Sequence, residues 1–435
     1  MMTDATITRV HGRRIWDSRG RPTVEVEVHT AGGASGRAAA PAGASRGSRE
    51  AIDLRDGGRR FGGMDVQRAL ANVNGPIAHA LAGHDSRRQE SIDRTLRDAD
   101  GTADKSKLGG NAIVATSLAC AHAAAAAEHV PLWRYLAGGA AVHLPLPEVQ
   151  IFGGGAHAGR RIDIQDLMVM PVSARSFMEA LEMTAEVYRA AGELMRASGN
   201  LAGVADEGGF WPQFASNEAA LEALVRAIER AGYVPGDEVA ISLDVAASEF
   251  GKRGRYRLAL ENRELDSDGM IELVNTWLER YPIVSIEDPL AEDDQEAMAS
   301  LTRAVGGRCQ VVGDDFLVTS ATRVEAAQRE GACNAVLIKP NQVGTLTETR
   351  AALEAGRRSG WGTIVSARSG ETEDASIVHL AVGWDAGQLK VGSFARSERM
   401  AKWNEALRIE EALGDKARFA GREALPQFRP NRATP

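Results

Sequence analysis

The stretch NAVLIKPNQVGTLTET, Asn334 to Thr349, joins an apolar run to a lysine, a proline-led polar turn and a helical pattern. A short apolar run bounded by turn signals predicts a buried parallel strand. A charge at the end of such a strand does not belong to the core. It projects from the carboxyl edge of the sheet, where α/β folds place their chemistry. By itself the stretch leaves two roles open for Lys339, a catalytic base or a solvated strand cap.

The same pattern recurs on both sides of it. DLMVMPV, EVAISLDV, IVSIEDP, CQVVGDD, TIVSARSG and QLKVGSF read as strands, and helical segments such as Phe177–Ala197 and Met270–Arg280 lie between them. Repeated strand–helix units predict a parallel sheet or barrel. The last polar residues of the apolar runs are Asp244, Glu287, Asp314, Lys339, Ser366 with Arg368, and Lys390. Most follow one another at the spacing of one strand–helix unit. In a barrel whose strands all run the same way, they converge on one mouth.

Upstream the pattern changes. TVEVEV alternates as a half-exposed antiparallel strand does, and Asp17-Ser18-Arg19-Gly20 reads as a turn before it. GRAAAPAGASRGSRE, Gly36 to Glu50, reads as a mobile loop of the kind that covers sites. Val66 to Leu136 turns helical, and the alanine-rich NAIVATSLACAHAAAAAEHV predicts a buried helix. The expected fold class is α/β. The N-terminal part reads as an α+β domain of roughly 130 residues, and the parallel sheet or barrel begins at the proline-flanked LPLPEVQI.

Composition narrows the function classes. A net charge of −8 over 435 residues disfavours a nucleic-acid backbone as the main partner. No run of eighteen apolar residues occurs, so no membrane span is expected. MMTDATITRV lacks the basic and apolar segments of a secretory signal. Cys120, Cys309 and Cys333 are odd in number and widely spaced, which suits a reducing cytoplasm. Neither a Gly-Lys-Ser/Thr phosphate loop nor a His-Glu-x-x-His zinc motif occurs.

Three carboxylates converging with two lysines and an arginine point to chemistry. Close carboxylates repel and raise one another's pKa, and a hard divalent cation such as magnesium relieves this. Such a metal draws charge from a substrate carboxylate, and a lysine with a lowered pKa then takes the α-proton to leave an enediolate. Eliminating a β-group needs an acid on the other face. Glu207 in VADEGGF is the candidate, with Asp166 in DIQDLMV beside it. Arg368 and Ser369 offer a cation and a hydroxyl for a phosphate. A ring of ordinary salt bridges is the competing reading.

With these residues in view, the chain resembles the enolase family along nearly its whole length. DSRGRPTVEVEV, DKSKLGGNAI, DEGGF, LDVAASEF, SIEDPLAEDD, VGDD, NQVGTLTET, RSGETED and RSERMAKWNEALRIEE carry the resemblance. It implies an N-terminal α+β capping domain over residues 1–137, a C-terminal enolase-type (β/α)8 barrel over 138–425 with one strand pair out of parallel order, a flexible tail over 426–435, and a cytoplasmic homodimer or homo-octamer. It also implies two magnesium ions, the second arriving with a small phosphorylated or phosphonylated three-carbon acid. By position, Asp244, Glu287 and Asp314 resemble the ligands of the first ion, and Ser45 the lid residue that reaches the second. Lys339 resembles the base and Glu207 the acid, with Asp166 beside it. Lys390 resembles the lysine that holds the substrate carboxylate. His157, Gln165, Ser366, Arg368 and Ser369 resemble other substrate-binding residues.

The departures from the family cluster on the leaving-group side and the lid. Ala367 stands where the family has a histidine, Gly153 where it has an asparagine, and Asp166 where it has a glutamate. The lid reads Ala42-Gly43-Ala44-Ser45-Arg46, and Arg46 adds a cation there. Three functions follow: dehydration of 2-phosphoglycerate to phosphoenolpyruvate, the same chemistry on a phosphonate or phosphinate analogue as in carboxyphosphonoenolpyruvate synthases, or a non-catalytic scaffold.

Overall fold

Val24, Val26 and Val28 are fully buried, while the alternate residues Glu25, Glu27 and His29 are only half-buried. This alternation becomes the central strand of an antiparallel sheet in the computed structural model, which describes residues 3–429. The strands are β1 (Ile7–Trp16), β2 (Pro22–Thr30) and β3 (Ser35–Ala39). The first residues of the expected loop therefore pair with β2, because Gly36 to Ala39 continue the register. The helix Gly110–Ala127 lies directly on this sheet. A Cβ on Gly36 would sit 2.1 Å from the backbone nitrogen of Ala123, so only glycine lets the helix approach this closely.

That helix is long and apolar enough to cross a membrane, although Asn111, Thr116, Ser117 and His122 interrupt its apolar run. It is 89% buried between the sheet and its neighbours, as a core helix is.

The remaining chain closes into an eight-stranded barrel in the order β10-β11-β12-β13-β14-β4-β5-β6. Its strands are β4 (Leu146–Gly153), β5 (Asp166–Met170), β6 (Ala240–Asp244), β10 (Ile283–Glu287), β11 (Gln310–Gly313), β12 (Ala335–Ile338), β13 (Gly362–Ser366) and β14 (Gly387–Ser393). A small antiparallel sheet of β7 (Gly251–Lys252), β8 (Arg255–Leu258) and β9 (Arg263–Asp266) is inserted after β6. The barrel is not uniformly parallel: β5 runs against both β4 and β6. Only a short glycine-rich segment joins β4 to β5, and a parallel crossover would need an intervening helix. The resemblance anticipated this departure; the strand–helix pattern alone did not.

The expected flexible tail is docked as far as it is described. Gln427 donates to the Val284 carbonyl at 2.8 Å and Arg429 to that of Gly360 at 3.0 Å. Residues 430–435 of the expected tail lie outside the described residues, as do residues 1 and 2.

Candidate functional site

The quoted stretch folds as its pattern predicts. Ala335–Ile338 is a fully buried barrel strand, and Lys339 leaves it at the mouth. Pro340 then opens a helical turn, where its missing N–H costs nothing, and Gly344 ends that turn at φ +94°. Thr345 caps the next helix, its hydroxyl accepting from the Glu348 amide at 3.2 Å. Lys339 is thus fixed from both sides. It is buried, so it is not a solvated strand cap.

The neighbouring strands deliver the other expected residues. β6 and β10 end on Asp244 and Glu287, which lie side by side in register. Asp314 follows β11, Ser366 ends β13, and Lys390 lies on β14 opposite Ser366. Because β5 is reversed, its first residue rather than its last reaches the mouth. Asp166 therefore pairs in register with Asp244, and Gln165 just before it donates to Asp244 at 3.0 Å.

A narrow cleft, nearly filled by its own side chains, gathers these groups. Ser45, Gln165, Asp166, Glu207, Asp244, Lys339, Ser366, Arg368, Ser369 and Lys390 all line it. Glu287 and Asp314 lie directly behind, in contact with the two lysines. The His157 side chain falls outside what is described; its backbone belongs to the short turn Gly155–Ala158.

The two lysines are shared out among the acids. Lys390 donates to Asp244 and to Glu287 at 2.8 Å each, and its ammonium is 3.7 Å from Asp166. Lys339 donates to Asp314, whose other oxygen accepts from Gln342 at 2.8 Å. The expected lowering of the Lys339 pKa rests on a bound cation and a lysine neighbour; among the protein's own groups the balance runs the other way. Burial pulls the Lys339 ammonium down most, but the Asp314 and Glu287 charges together outweigh it, and the group titrates above the ordinary lysine value. Lys390, the expected lysine neighbour, does push it down, and so does Arg368. Burial likewise opposes the charge on Lys390, and Asp244 and Glu287 raise it well above the usual range.

The acids outnumber the cations here, and Glu287 registers the excess. Burial first, and then the Asp244 charge, raises it far above the carboxylate range. Its Oε1 is buried without a hydrogen-bond partner. An acceptor-only oxygen in that position, beside Asp244 and Asp314, fits a hard divalent cation such as magnesium.

Two acids were missed. Asp288, Asp314 and Asp315 offer oxygens that all lie within 4.8 Å of one another, a grouping that could also hold a metal. Asp288 accepts the amides of Asp314 at 3.0 Å and Asp315 at 2.7 Å, so it braces the turn that presents Asp314. Burial, followed by the Asp314 charge, pushes Asp315 up to about 8. The signal was present in the sequence as the doublets Glu287-Asp288 and Asp314-Asp315.

The covering loop is docked. Ala42 and Gly370 exchange backbone hydrogen bonds at 2.8 and 2.9 Å, and the Ala44 amide donates to Ser369 Oγ at 2.6 Å. Arg368 donates to Glu50 at 3.0 Å and to the Ser45 carbonyl at 2.9 Å. Glu50 is thus a lid contact that strand-end reasoning could not find. Arg46 does not face the cleft. It is exposed, near the Ala51 carbonyl, and lines an adjoining hollow with Glu50 and Asp53. Of the other departures, Ala367 lines the cleft between the two lysine-bearing strands, its amide bonded to the Lys390 carbonyl at 2.9 Å.

Two family models match the chain. The one described as enolase, N-terminal domain, covers residues 7–136, and the one described as enolase, C-terminal TIM barrel domain, covers residues 141–427.

Proposed function

Because this chain belongs to the enolase family, we propose that it dehydrates 2-phosphoglycerate, or a close analogue, to phosphoenolpyruvate or its counterpart. The observation that carries this reading is the pair of buried lysines, Lys339 and Lys390, set into the acids Asp244, Glu287 and Asp314 on neighbouring strand ends. Glu287 Oε1, buried without a hydrogen-bond partner among these acids, supports a cation there over salt bridges alone.

Asp244, Glu287 and Asp314 would hold magnesium, with Ser45 of the lid serving a second ion. When bound, the metal would supply charge stabilisation to the substrate carboxylate. Lys390 orients that carboxylate from β14. Lys339, one strand beyond Ala367, removes the α-proton at Nζ in its neutral form. A cation held by Asp314 would favour that form by offsetting the carboxylate charge that keeps the lysine protonated. Glu207, reaching the cleft from another loop, gives a proton to the departing β-hydroxyl. Arg368 and Ser369 take the phosphate, the arginine through its planar donors. The docked lid excludes water from the exchange.

A second reading keeps this proton abstraction but changes the substrate to a phosphonate or phosphinate analogue. It is favoured by the methyl group of Ala367 in the cleft and by Gly153 and Asp166 nearby, which alter the leaving-group side while the lysines and metal acids stay in place.

The purified protein with magnesium and 2-phosphoglycerate should form phosphoenolpyruvate, followed by the ultraviolet absorbance of the enol. No turnover despite magnesium binding would overturn the 2-phosphoglycerate reading and favour the analogue.

A further inference from the structure

Gln150 takes no part in the chemistry above, yet it touches both halves of the acid side. It lies on β4 and is fully buried. Its Nε2 donates to Asp166 Oδ1. Its Oε1 accepts the Gly209 amide at 2.8 Å, and this donor fixes which end of the side-chain amide is oxygen.

Gly209 closes the turn that carries Glu207. The Ala205 amide donates to the Gly209 carbonyl at 2.7 Å, and the Gly208 amide to the Ala205 carbonyl at 3.0 Å. The Glu207 carbonyl is held on β14 by the Ser393 amide at 2.9 Å. One side chain therefore spans from the Glu207 turn to Asp166.

The surrounding glycines make room for it. A Cβ on Gly209 would lie 2.5 Å from Gln150 Oε1. A Cβ on Gly153 would lie 2.6 Å from the Ala205 methyl and 3.3 Å from Gln150 Nε2. A side chain at 153 would collide with the base of the Glu207 turn. The glycine at 153 and the short carboxylate at 166 are thus parts of one arrangement centred on Gln150, not separate losses.

We propose that Gln150 is a positioning residue that sets the separation between Asp166 and the Glu207 turn, and so the placement of the proton donor on the leaving-group side. This rests on the reading of Glu207 and Asp166 as the acid pair. Proton removal by Lys339 on the opposite side does not depend on it.

The test separates these two steps. Gln150→Met keeps length and bulk while removing both hydrogen bonds. Gln150→Glu keeps the Gly209 acceptor and replaces the donor to Asp166 by a carboxylate oxygen that repels it. Amide exchange at Gly209 is measured in both variants without substrate. It should be about tenfold faster in Gln150→Met and near wild type in Gln150→Glu. With magnesium and 2-phosphoglycerate in deuterated water, both variants should keep wild-type α-hydrogen exchange while dehydration falls about a hundredfold. If Gly209 stays as protected in Gln150→Met as in wild type, or if exchange and dehydration fall together, the assignment is overturned. If the wild type exchanges no α-hydrogen, the proposed function fails instead, and Gly209 protection still decides whether Gln150 holds the turn.

Discussion

The guanidinium of Arg368 holds the carboxylate of Glu50 at 3.0 Å with both side chains shut away from solvent. One comes from the end of a barrel strand and the other from the covering loop. Burial works against the charge on Arg368, and Glu50 more than compensates, so its pKa lies above the ordinary value. The loop is thus tied to the barrel through a residue assigned to the phosphate.

Glu50→Ala would leave that guanidinium buried without its anion. The expected cost is about 3–5 kcal/mol, the usual penalty for breaking a buried pair from one side. Urea unfolding monitored by circular dichroism checks it. An unchanged midpoint would mean the pair does not hold the loop down.

Glu148 predicts a pH dependence of stability. It is buried inside the barrel with Ser242 donating to it at 3.0 Å. Burial raises its pKa from 4.5 to about 6, against the pull of Lys390. The folded state therefore binds this proton more tightly than the unfolded state does. The stabilisation is complete below pH 4.5 and is lost as pH rises to about 6, by about 2 kcal/mol. Glu148→Gln should remove that fall, gaining on the wild type above pH 6. Parallel curves for the two proteins across this range would contradict it.

Magnesium should raise the melting temperature of the wild type. At a hundredfold excess over its dissociation constant the gain is about 2.7 kcal/mol. Glu287→Gln should lose the increment, because it replaces the acceptor oxygens of a central ligand. Differential scanning calorimetry with and without magnesium measures both. An equal increment in the variant would place the ion elsewhere, with Asp288 and Asp315 the next residues to test.

Ala367→His should raise dehydration of 2-phosphoglycerate, since position 367 lines the cleft between the lysine-bearing strands. Gly153→Asn should not help. The new Cβ would meet the Ala205 methyl at 2.6 Å, and overpacking of this kind costs about 1–3 kcal/mol. Steady-state kinetics on the two variants tells them apart. Improvement by Gly153→Asn would mean that the Glu207 turn can yield.

The barrel strands and most of the cleft were legible because strand ends in this architecture carry their chemistry in the last polar residue. That rule found Asp244, Glu287, Lys339 and Lys390. It could not find Asp166 as a strand end, since β5 runs backwards and presents its first residue. Asp166 came from its place beside Glu207 in the chemical argument. Glu50 and Gln150 were illegible for a different reason. Their roles depend on partners far away in sequence, Arg368 and Gly209, and no local pattern announces such a contact. The raised pKa of Lys339 was also out of reach, because it is the balance of burial against the Asp314 and Glu287 charges, which only the folded geometry sets.

The central claim is that Lys339 removes the α-proton. It is tested most directly by following α-hydrogen exchange of 2-phosphoglycerate in deuterated water by proton NMR, with magnesium, in the wild type and in Lys339→Ala. The account predicts exchange in the wild type and its loss in the variant, by about a hundredfold or more. Exchange at the wild-type rate in Lys339→Ala would show that another group is the base.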